Sequence, residues 1–205
     1  MNRKGFLMVV VAAVMAAGSA FAQVPEFKLS AGAGGYFTSD FGGGKEGPVR
    51  YEYPYAGGGG FAFFDATFAE LSLGFFAAGG DWKYNGNKLN DMSYTGLDIS
   101  LLGKYPFTLT EQLTLFPLLG IDYRRFISMK YVFPAEQAGD WSALWFKLGV
   151  GADYHFTEHI FARLGLLYGI RLKNKWEKEW EDTVPGLDTK LGHGLDVKLA
   201  VGYRF

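Results

Sequence analysis

Apolar residues alternate with polar or small residues at every second position through eight segments of this chain. These segments are residues 26–37, 55–64, 68–82, 93–107, 113–126, 142–156, 159–173 and 195–205. A period of two is typical of a β-strand with two unlike faces, because successive side chains point to opposite sides of the strand. We therefore predict an all-β chain of eight strands. The phase is ambiguous in the second segment, where Phe63 and Phe64 are adjacent.

The connectors between these segments alternate in length. Residues 65–67, 108–112 and 156–159 are short links, whereas the stretches near 38–54, 83–92, 127–140 and 174–193 are longer. Short links between successive strands favour an antiparallel meander. An even number of strands, with short turns at one end and long loops at the other, is the plan of a closed, antiparallel, up-and-down transmembrane β-barrel. Pro117, inside the fifth segment, removes one ladder hydrogen bond.

The alternation alone leaves open which face is inside. A soluble barrel of lipocalin type would turn the apolar face inward around a ligand, whereas a membrane barrel turns it outward into lipid. The polar face combines single charges with glycine, as at Lys147, Gly149, Gly151 and Asp153, which suits a narrow lumen. Aromatic residues near the strand ends of the apolar face match interfacial girdles, and they favour the membrane barrel. They are Tyr105, Phe107, Tyr123, Tyr154, Tyr203 and Phe205.

The last segment, LDVKLAVGYRF, alternates through Val201 and Tyr203 to Phe205. It resembles the C-terminal assembly signal of bacterial outer-membrane β-barrels, which ends in phenylalanine after alternating apolar residues. The resemblance implies that the barrel-assembly machinery reads these three side chains. It also implies a small eight-stranded barrel, similar in size to the OmpX, OmpW and OmpA-barrel types and assigned to none of them. The expected location is the outer membrane of a diderm bacterium, in contact with its lipid.

The first 22 residues have the pattern of a secretory signal peptide. MNRKG is a positive head, FLMVVVAAVMAAG is an apolar core, and SAFA is a small-residue cleavage site. The alternative is a membrane anchor, but the apolar run is short for a bilayer. We expect residues 1–22 to be removed and residues 23–205 to form the barrel domain. The chain has no cysteine, so we expect neither a disulfide framework nor a lipoprotein anchor.

Charged residues recur on the predicted lumen face. They could form an ion path or a packed network of paired charges, and the network is favoured because an unpaired charge in a narrow lumen is costly. We expect the aromatic rings of Trp145 and Phe116 to fill more of the space. The predicted lumen charges are Glu70, Asp98, Lys104, Asp122, Arg124, Lys147, Asp153, Arg163, Arg171, Asp196, Lys198 and Arg204. The predicted pairs join Arg163, Arg171 and Arg204 to acids such as Asp98, Asp122 and Asp153.

Two of the long connectors have unusual composition. In 174–191, Trp176 and Trp180 are four residues apart, which fits either a helical turn or a hairpin extension. If these tryptophans are exposed, they are candidates for contact with lipid head groups or a partner, and otherwise they pack within the loop. The glycine-rich stretch 38–60 lacks the spacing of a phosphate-binding loop.

Three classes of function are compatible with these features. The favoured one is a non-enzymatic barrel with a structural or surface-interaction role, carried by long extracellular loops that face an unknown ligand. The alternative is a narrow channel for small or hydrophobic solutes, which a lateral gap near Pro117 or in the second strand would favour. The third is a lipid-modifying enzyme, which needs a histidine, a serine and a carboxylate together at the outer rim.

The remaining composition excludes other classes. His155, His159 and His193 are scattered and have no metal-ligand spacing, so we expect no catalytic or metal site and no cofactor. The chain has 20 basic and 21 acidic residues, so it has no basic footprint for nucleic acid. We expect a monomer.

Overall fold

The computed structural model of this chain describes residues 25–130 and 135–205, and the predicted signal peptide lies outside the described residues. The strands in chain order are β1 (Leu29–Asp40), β2 (Gly43–Glu46), β3 (Val49–Glu52), β4 (Tyr55–Ala66), β5 (Ala69–Tyr84), β6 (Asn87–Lys104), β7 (Phe107–Thr108), β8 (Leu113–Lys130), β9 (Ala143–His155), β10 (Ile160–Arg171), β11 (Leu187–Thr189) and β12 (Gly192–Arg204). A 3-10 helix spans Ala135–Trp141, and the α-helix α1 spans Lys175–Thr183. No helix in these two ranges is long and apolar enough to span a membrane.

Eight of these strands form a closed antiparallel barrel. Their order is β1, β4, β5, β6, β8, β9, β10 and β12, and β12 pairs back onto β1. The β1–β12 register runs from Ser30 opposite Arg204 to Thr38 opposite Asp196. The amide of Phe205 also donates a hydrogen bond of 2.9 Å to the carbonyl of Leu29. Closure leaves no unpaired barrel edge, and the predicted fold class is confirmed.

The apolar face of the barrel points outward. Leu148, Leu166 and Leu199 are exposed, whereas the residues directly before and after each of them in the chain are buried or half-buried. The structure also fixes the phase of β4, because Phe63 is buried in the lumen and Phe64 is exposed. Gly32 lies opposite Phe63 in the β1–β4 register. A Cβ atom at Gly32 would lie 2.6 Å from the Phe63 ring, so this ring needs a glycine beside it.

The two ends of the barrel differ as predicted, with one correction. The short-turn end carries the connections 67–68, 105–112 and 156–159, and the long-loop end carries β2, β3, the 3-10 helix, α1 and β11. The expected long loop at 83–92 is wrong, since β5 and β6 continue to a tight turn at Asn85 and Gly86. These two residues have φ angles of 47° and 81°. Asn-Gly tolerates such left-handed conformations, which a two-residue hairpin turn of type I′ requires.

Candidate functional site

Arg163 is the centre of a buried ionic network near the short-turn end. Its Nε and Nη2 atoms donate to the two carboxylate oxygens of Asp153, at 2.7 Å each. The same guanidinium lies 2.6 Å from Asp65 and 2.6 Å from Glu70, and Lys104 also binds Asp65. These five side chains, which we name the short-turn network, are at most 5% exposed. Its hydrogen bonds are charge-assisted, which makes them stronger than neutral ones.

A second network crosses the middle of the lumen, and we name it the central network. Asp196 accepts hydrogen bonds from Lys147 and, at 2.6 Å, from Thr38, and it lies 3.5 Å from Arg124. Asp122 lies 3.3 Å from Lys147 and 3.6 Å from Arg124. The central network therefore joins two cations to two carboxylates across four strands of the barrel.

Aromatic rings fill the space beside these charges. The fully buried ring of Trp145 lies 5.0 Å from the Arg124 guanidinium and 4.7 Å from the Lys147 ammonium. Phe116 lies 5.1 Å from the Arg163 guanidinium and is 2% exposed. Both rings occupy the lumen, as predicted.

Two predicted lumen charges have partners other than ionic ones. Asp98 accepts a hydrogen bond from the Tyr36 hydroxyl. The Lys198 ammonium donates to Ser72 at 3.2 Å and lies 5.1 Å from the Phe61 ring. Both charges are buried in the lumen as predicted, but within the described residues neither has an opposite charge within 4 Å.

A third network, which we name the long-loop network, lies where the barrel meets its long loops. Arg171 binds Asp40 at 2.7 Å and binds both carboxylate oxygens of Glu177 at 2.7 and 2.8 Å. The Tyr53 hydroxyl also donates to Glu177. Burial raises the pKa of the Tyr53 hydroxyl well above its ordinary value, and the neighbouring Glu177 carboxylate raises it further. Tyr53 therefore remains a hydrogen-bond donor at every physiological pH.

The same glutamate caps the N-terminus of helix α1. The side chain of Asn174 accepts from the Glu177 amide at 2.8 Å, and the Glu177 side chain accepts from the Asn174 amide at 2.9 Å. This reciprocal arrangement is a capping box, which satisfies amides at the helix N-terminus that have no intrahelical partner. Farther along, the Glu181 carboxylate accepts from Lys173 at 2.6 Å and from the Thr189 amide at 2.6 Å, so it ties α1 to β11.

Helix α1 turns its tryptophans toward the barrel. Trp176 stacks on Trp141 with ring centroids 4.3 Å apart and planes 17° apart, and it lies 4.6 Å from Trp180. Trp82 lies 5.7 Å from each of the two helix tryptophans. We name the whole group the aromatic cap, and its members are Tyr51, Tyr53, Trp82, Trp141, Trp176 and Trp180. Of the two conformations compatible with the sequence, the helical turn is the one observed, and Trp176 and Trp180 are partly buried in this cap.

The structure changes several of the predicted pairs. Arg163 pairs with Asp153 as predicted, but Arg171 pairs with Asp40 and Glu177. Asp40 lies on the lumen face of β1 and Asp65 on the lumen face of β4. The position of Asp65 can be predicted from the alternation once it is known which face of β4 points into the lumen. For Glu177, the sequence feature that could have indicated a structural role is the N-x-x-E capping pattern that begins at Asn174.

Arg204 is the clearest correction to the predicted pairs. It lies at the short-turn mouth, where its Nη2 atom is 3.1 Å from Nε2 of His155, and no carboxylate of the described residues lies within 4 Å of it. Val201, Tyr203 and Phe205 all point outward, at 58%, 48% and 70% exposure. Their reading by the assembly machinery stays a prediction.

A cavity of about 800 Å³ opens at the short-turn end below the short-turn network, and we name it the short-turn cavity. Its lining residues are Pro25, Glu26, Lys28, Ser30, Asp65, Thr67, Lys104, Tyr105, Pro106, Thr108, Leu109, Thr114, Phe116, Asp153, Arg163 and Arg204. The β6–β8 ladder ends at Lys104 opposite Leu118 and resumes at Phe107 opposite Leu115. Pro117 lies in this interruption and has no N–H to donate, so the ladder is broken beside the cavity.

Each of the three histidines contacts a tyrosine or an arginine in the described part of the chain. Nδ1 of His193 lies 2.6 Å from the Tyr168 hydroxyl on the outer surface, and His159 contacts the carbonyl of Arg204 at 3.0 Å. Across residues 25–130 and 135–205, no hydrogen bond joins a histidine to a serine. No group of three His, Asp or Glu side chains in these ranges is arranged so that it could hold a metal ion.

Comparison with known proteins identifies the type of barrel. Residues 7–205 match the family model described as "Outer membrane protein beta-barrel domain". No curated protein sequence matches the chain. The outer membrane protein OprG from Pseudomonas aeruginosa is 12% identical, with 87% of this chain and 96% of that chain covered and a TM-score of 0.51. This likeness shows a shared fold.

Two further solved structures are similar at lower TM-scores. The attachment invasion locus protein Ail of Yersinia pestis, in complex with the heparin analogue sucrose octasulfate, is 14% identical, with 88% and 100% covered and a TM-score of 0.44. The outer membrane protease OmpT from Escherichia coli is 10% identical, with 89% and 99% covered and a TM-score of 0.34.

Proposed function

This chain belongs to the family of outer membrane protein β-barrel domains, located in the bacterial outer membrane, and we propose that it is a non-conducting, non-enzymatic member. Its role is structural or is exerted at the surface through the aromatic cap and the loops around it. The single observation that supports this proposal is the filled lumen. Three ionic networks and a cap of aromatic rings succeed one another from the short-turn end to the long-loop end.

The filling leaves little space for a solute. Trp145 and Phe161 are fully buried in the lumen and Phe116 is 2% exposed. Beneath the aromatic cap, the cavity bounded by Asp40, Tyr55 and Arg171 has a volume of about 10 Å³, which is room for about one water molecule. Removing one member of a buried ion pair leaves an uncompensated charge, so the networks resist rearrangement. We infer that the lumen stays closed to ions and solutes in the resting protein.

Electrical recording in a planar bilayer tests this proposal. The purified protein should give no steady, porin-sized current, because its lumen is filled. The double variant Trp145→Ala/Phe116→Ala removes two lumen rings and serves as the comparison, since its baseline noise should rise above that of the wild type. Stable, large, salt-dependent current steps from the wild-type protein would instead support the narrow channel.

The long-loop end should face the exterior, because long loops are extracellular in barrels of this kind. Single cysteines at Asp182, on α1, and at Glu111, in a short connection, test this orientation in a chain without native cysteine. A membrane-impermeant thiol reagent applied to intact cells should label Asp182→Cys and leave Glu111→Cys unlabelled. The opposite pattern would place the aromatic cap in the periplasm and contradict a surface role.

One observation favours the narrow channel as a second candidate function. The β6–β8 ladder is broken beside Pro117, which is the lateral gap that such a channel would use. However, the gap opens onto the short-turn cavity, and the short-turn network closes that cavity toward the lumen. A path through the gap therefore ends below the filled part of the barrel, so we rank this function second.

A further inference from the structure

The short-turn cavity contains a cation, Arg204, that makes no direct ion pair in the described part of the chain, although the Asp65 and Asp153 carboxylates lie near enough to interact with its charge. Within the described residues Arg204 has no carboxylate within 4 Å, although Arg163 beside it binds three. Lys28, on the same wall, has Glu26 as its one ion-pair partner among the described residues, and the two side chains are 47% and 81% exposed. An exposed ion pair of this kind is worth little, so Lys28 is readily available to another anion.

The contact between Arg204 and His155 shows that this histidine does not supply the missing ion pair of Arg204. A guanidinium has donors and no acceptor, so Nε2 of His155 must accept and its ring proton must lie on Nδ1. That Nδ1 atom is buried and has no hydrogen-bond partner. A neutral imidazole supplies no negative charge, and the nearby Asp65 and Asp153 carboxylates bind Arg163 directly and not Arg204. The other N–H groups of Arg204 can bind a planar or tetrahedral oxyanion at the mouth of the cavity.

The opposite side of the cavity carries a strip of apolar residues. Tyr105, Pro106, Leu109 and Phe116 form this strip, which lies next to the interruption of the β6–β8 ladder and beside the polar residues Lys104, Thr108 and Thr114. Tyr105 is 38% exposed and Leu109 is 51% exposed. The cavity therefore has one side that presents Arg204 and Lys28 and another side whose apolar strip is continuous with the outer surface of the barrel. Its volume of about 800 Å³ falls in the range of about 300–1,000 Å³ typical of ligand pockets.

We propose that the short-turn cavity binds an anionic amphiphile. Its phosphate or carboxylate group contacts Arg204 and Lys28, and its hydrocarbon chain lies along Tyr105, Pro106 and Leu109. This site goes beyond the surface role proposed above and does not depend on it, since the short-turn network separates the cavity from the rest of the lumen. Such a ligand could enter as a bilayer lipid through the ladder gap or as a free amphiphile from the periplasm, and both share this chemistry.

A fluorescent reporter in the cavity tests the proposal. Thr108 lines the cavity, so a Thr108→Cys variant labelled with bimane and reconstituted in zwitterionic phosphatidylcholine nanodiscs reports occupancy. Titration with decyl phosphate should give a saturable change in bimane emission. Arg204→Gln in this background should weaken binding by about tenfold or more, the value of one hydrogen bond to a charged group. Lys28→Gln, at an exposed position, gives a second test if Arg204→Gln folds poorly.

The controls distinguish the contribution of the anionic group from that of the hydrocarbon chain, and a ligand from the bilayer from one in solution. Arg50→Gln, at the long-loop end, should leave the decyl phosphate titration unchanged. Nanodiscs containing phosphatidylglycerol should show the shifted emission before titration if bilayer lipid occupies the cavity, and the unshifted emission if the ligand comes from solution. The proposal is overturned if decanol, without the charge, produces the same saturable change. It is equally overturned if inorganic phosphate binds as tightly as decyl phosphate. The same holds if Arg204→Gln and Lys28→Gln both bind decyl phosphate as tightly as the labelled Thr108→Cys parent does.

Discussion

Replacing Arg163 by methionine should be the most destabilising single change in the lumen. Arg163 is 5% exposed and binds Asp65, Glu70 and Asp153 at 2.6–2.7 Å. Without it, Lys104 is the one cation of the described residues that still makes a direct ion pair with any of these three buried carboxylates. Methionine keeps much of the side-chain volume, so the effect isolates the charge rather than a cavity.

The size of the effect follows from this geometry. Breaking a buried ion pair by removing one partner costs about 3–5 kcal/mol, because the remaining charge is uncompensated. With a denaturant slope of about 2 kcal/mol per molar urea, the unfolding midpoint should fall by about 2 M. Arg50→Met is the matched control, since Arg50 is 73% exposed in its pair with Glu52, and it should cost less than about 1 kcal/mol.

Urea unfolding of the barrel in lipid vesicles, followed by tryptophan fluorescence, measures these differences. The double variant Arg163→Met/Asp153→Asn should recover part of the loss, because it removes one of the uncompensated carboxylates. If Arg163→Met unfolds at the wild-type urea concentration, the short-turn network does not carry the stability that its distances imply. If Arg163→Met is destabilised and adding Asp153→Asn does not raise its urea midpoint, the lost stability comes from packing and not from charge.

Two more expectations follow from the lipid face and from the cap. Leu148→Arg places a charge in hydrocarbon, since Leu148 is 60% exposed on the outer face; it should cost about 2–4 kcal/mol, and an unchanged urea midpoint would refute the outward orientation. Burial alone would raise the pKa of Glu181, but hydrogen bonds from Lys173 and Thr189 outweigh it and lower the pKa. The stabilisation is thus complete above the ordinary glutamate pKa of 4.5 and is lost as the pH falls through the lowered value. Tryptophan fluorescence of the cap should change in that acidic range, and Glu181→Gln should abolish this dependence.

The alternation in the sequence was sufficient to predict the eight barrel strands and their order along the chain, and the glycine-rich polar face and the interfacial aromatic residues indicated which face points outward. For example, the lumen positions of Lys147 and Asp153 follow from a spacing of two along β9. The period of two is a local property, because each side chain's direction is set by its own strand. Within the predicted strands, the lumen face was left undetermined where this local signal was ambiguous, at Phe63 and Phe64.

The ends of the strands were less predictable. The polar residues at 83–92 indicated a long loop, yet they extend the β5–β6 hairpin to Asn85 and Gly86. A hairpin that rises beyond the membrane no longer needs an apolar outer face, so its alternation disappears from the sequence. The inward packing of Trp176 and Trp180 was likewise undetermined, since a spacing of four fits both conformations considered for this loop.

The sequence by itself determined which side chains enter the lumen, and the tertiary structure decided which of them meet. Arg171 was predicted to pair with acids such as Asp98, Asp122 and Asp153, but its partners are Asp40 and Glu177, which come from β1 and from a loop helix. Arg204 was expected in the same network and instead lies at the edge of the short-turn cavity. The reason is physical: in a closed barrel the height of each residue depends on the tilt and stagger of all the strands together. Those quantities exist only once β12 has paired with β1.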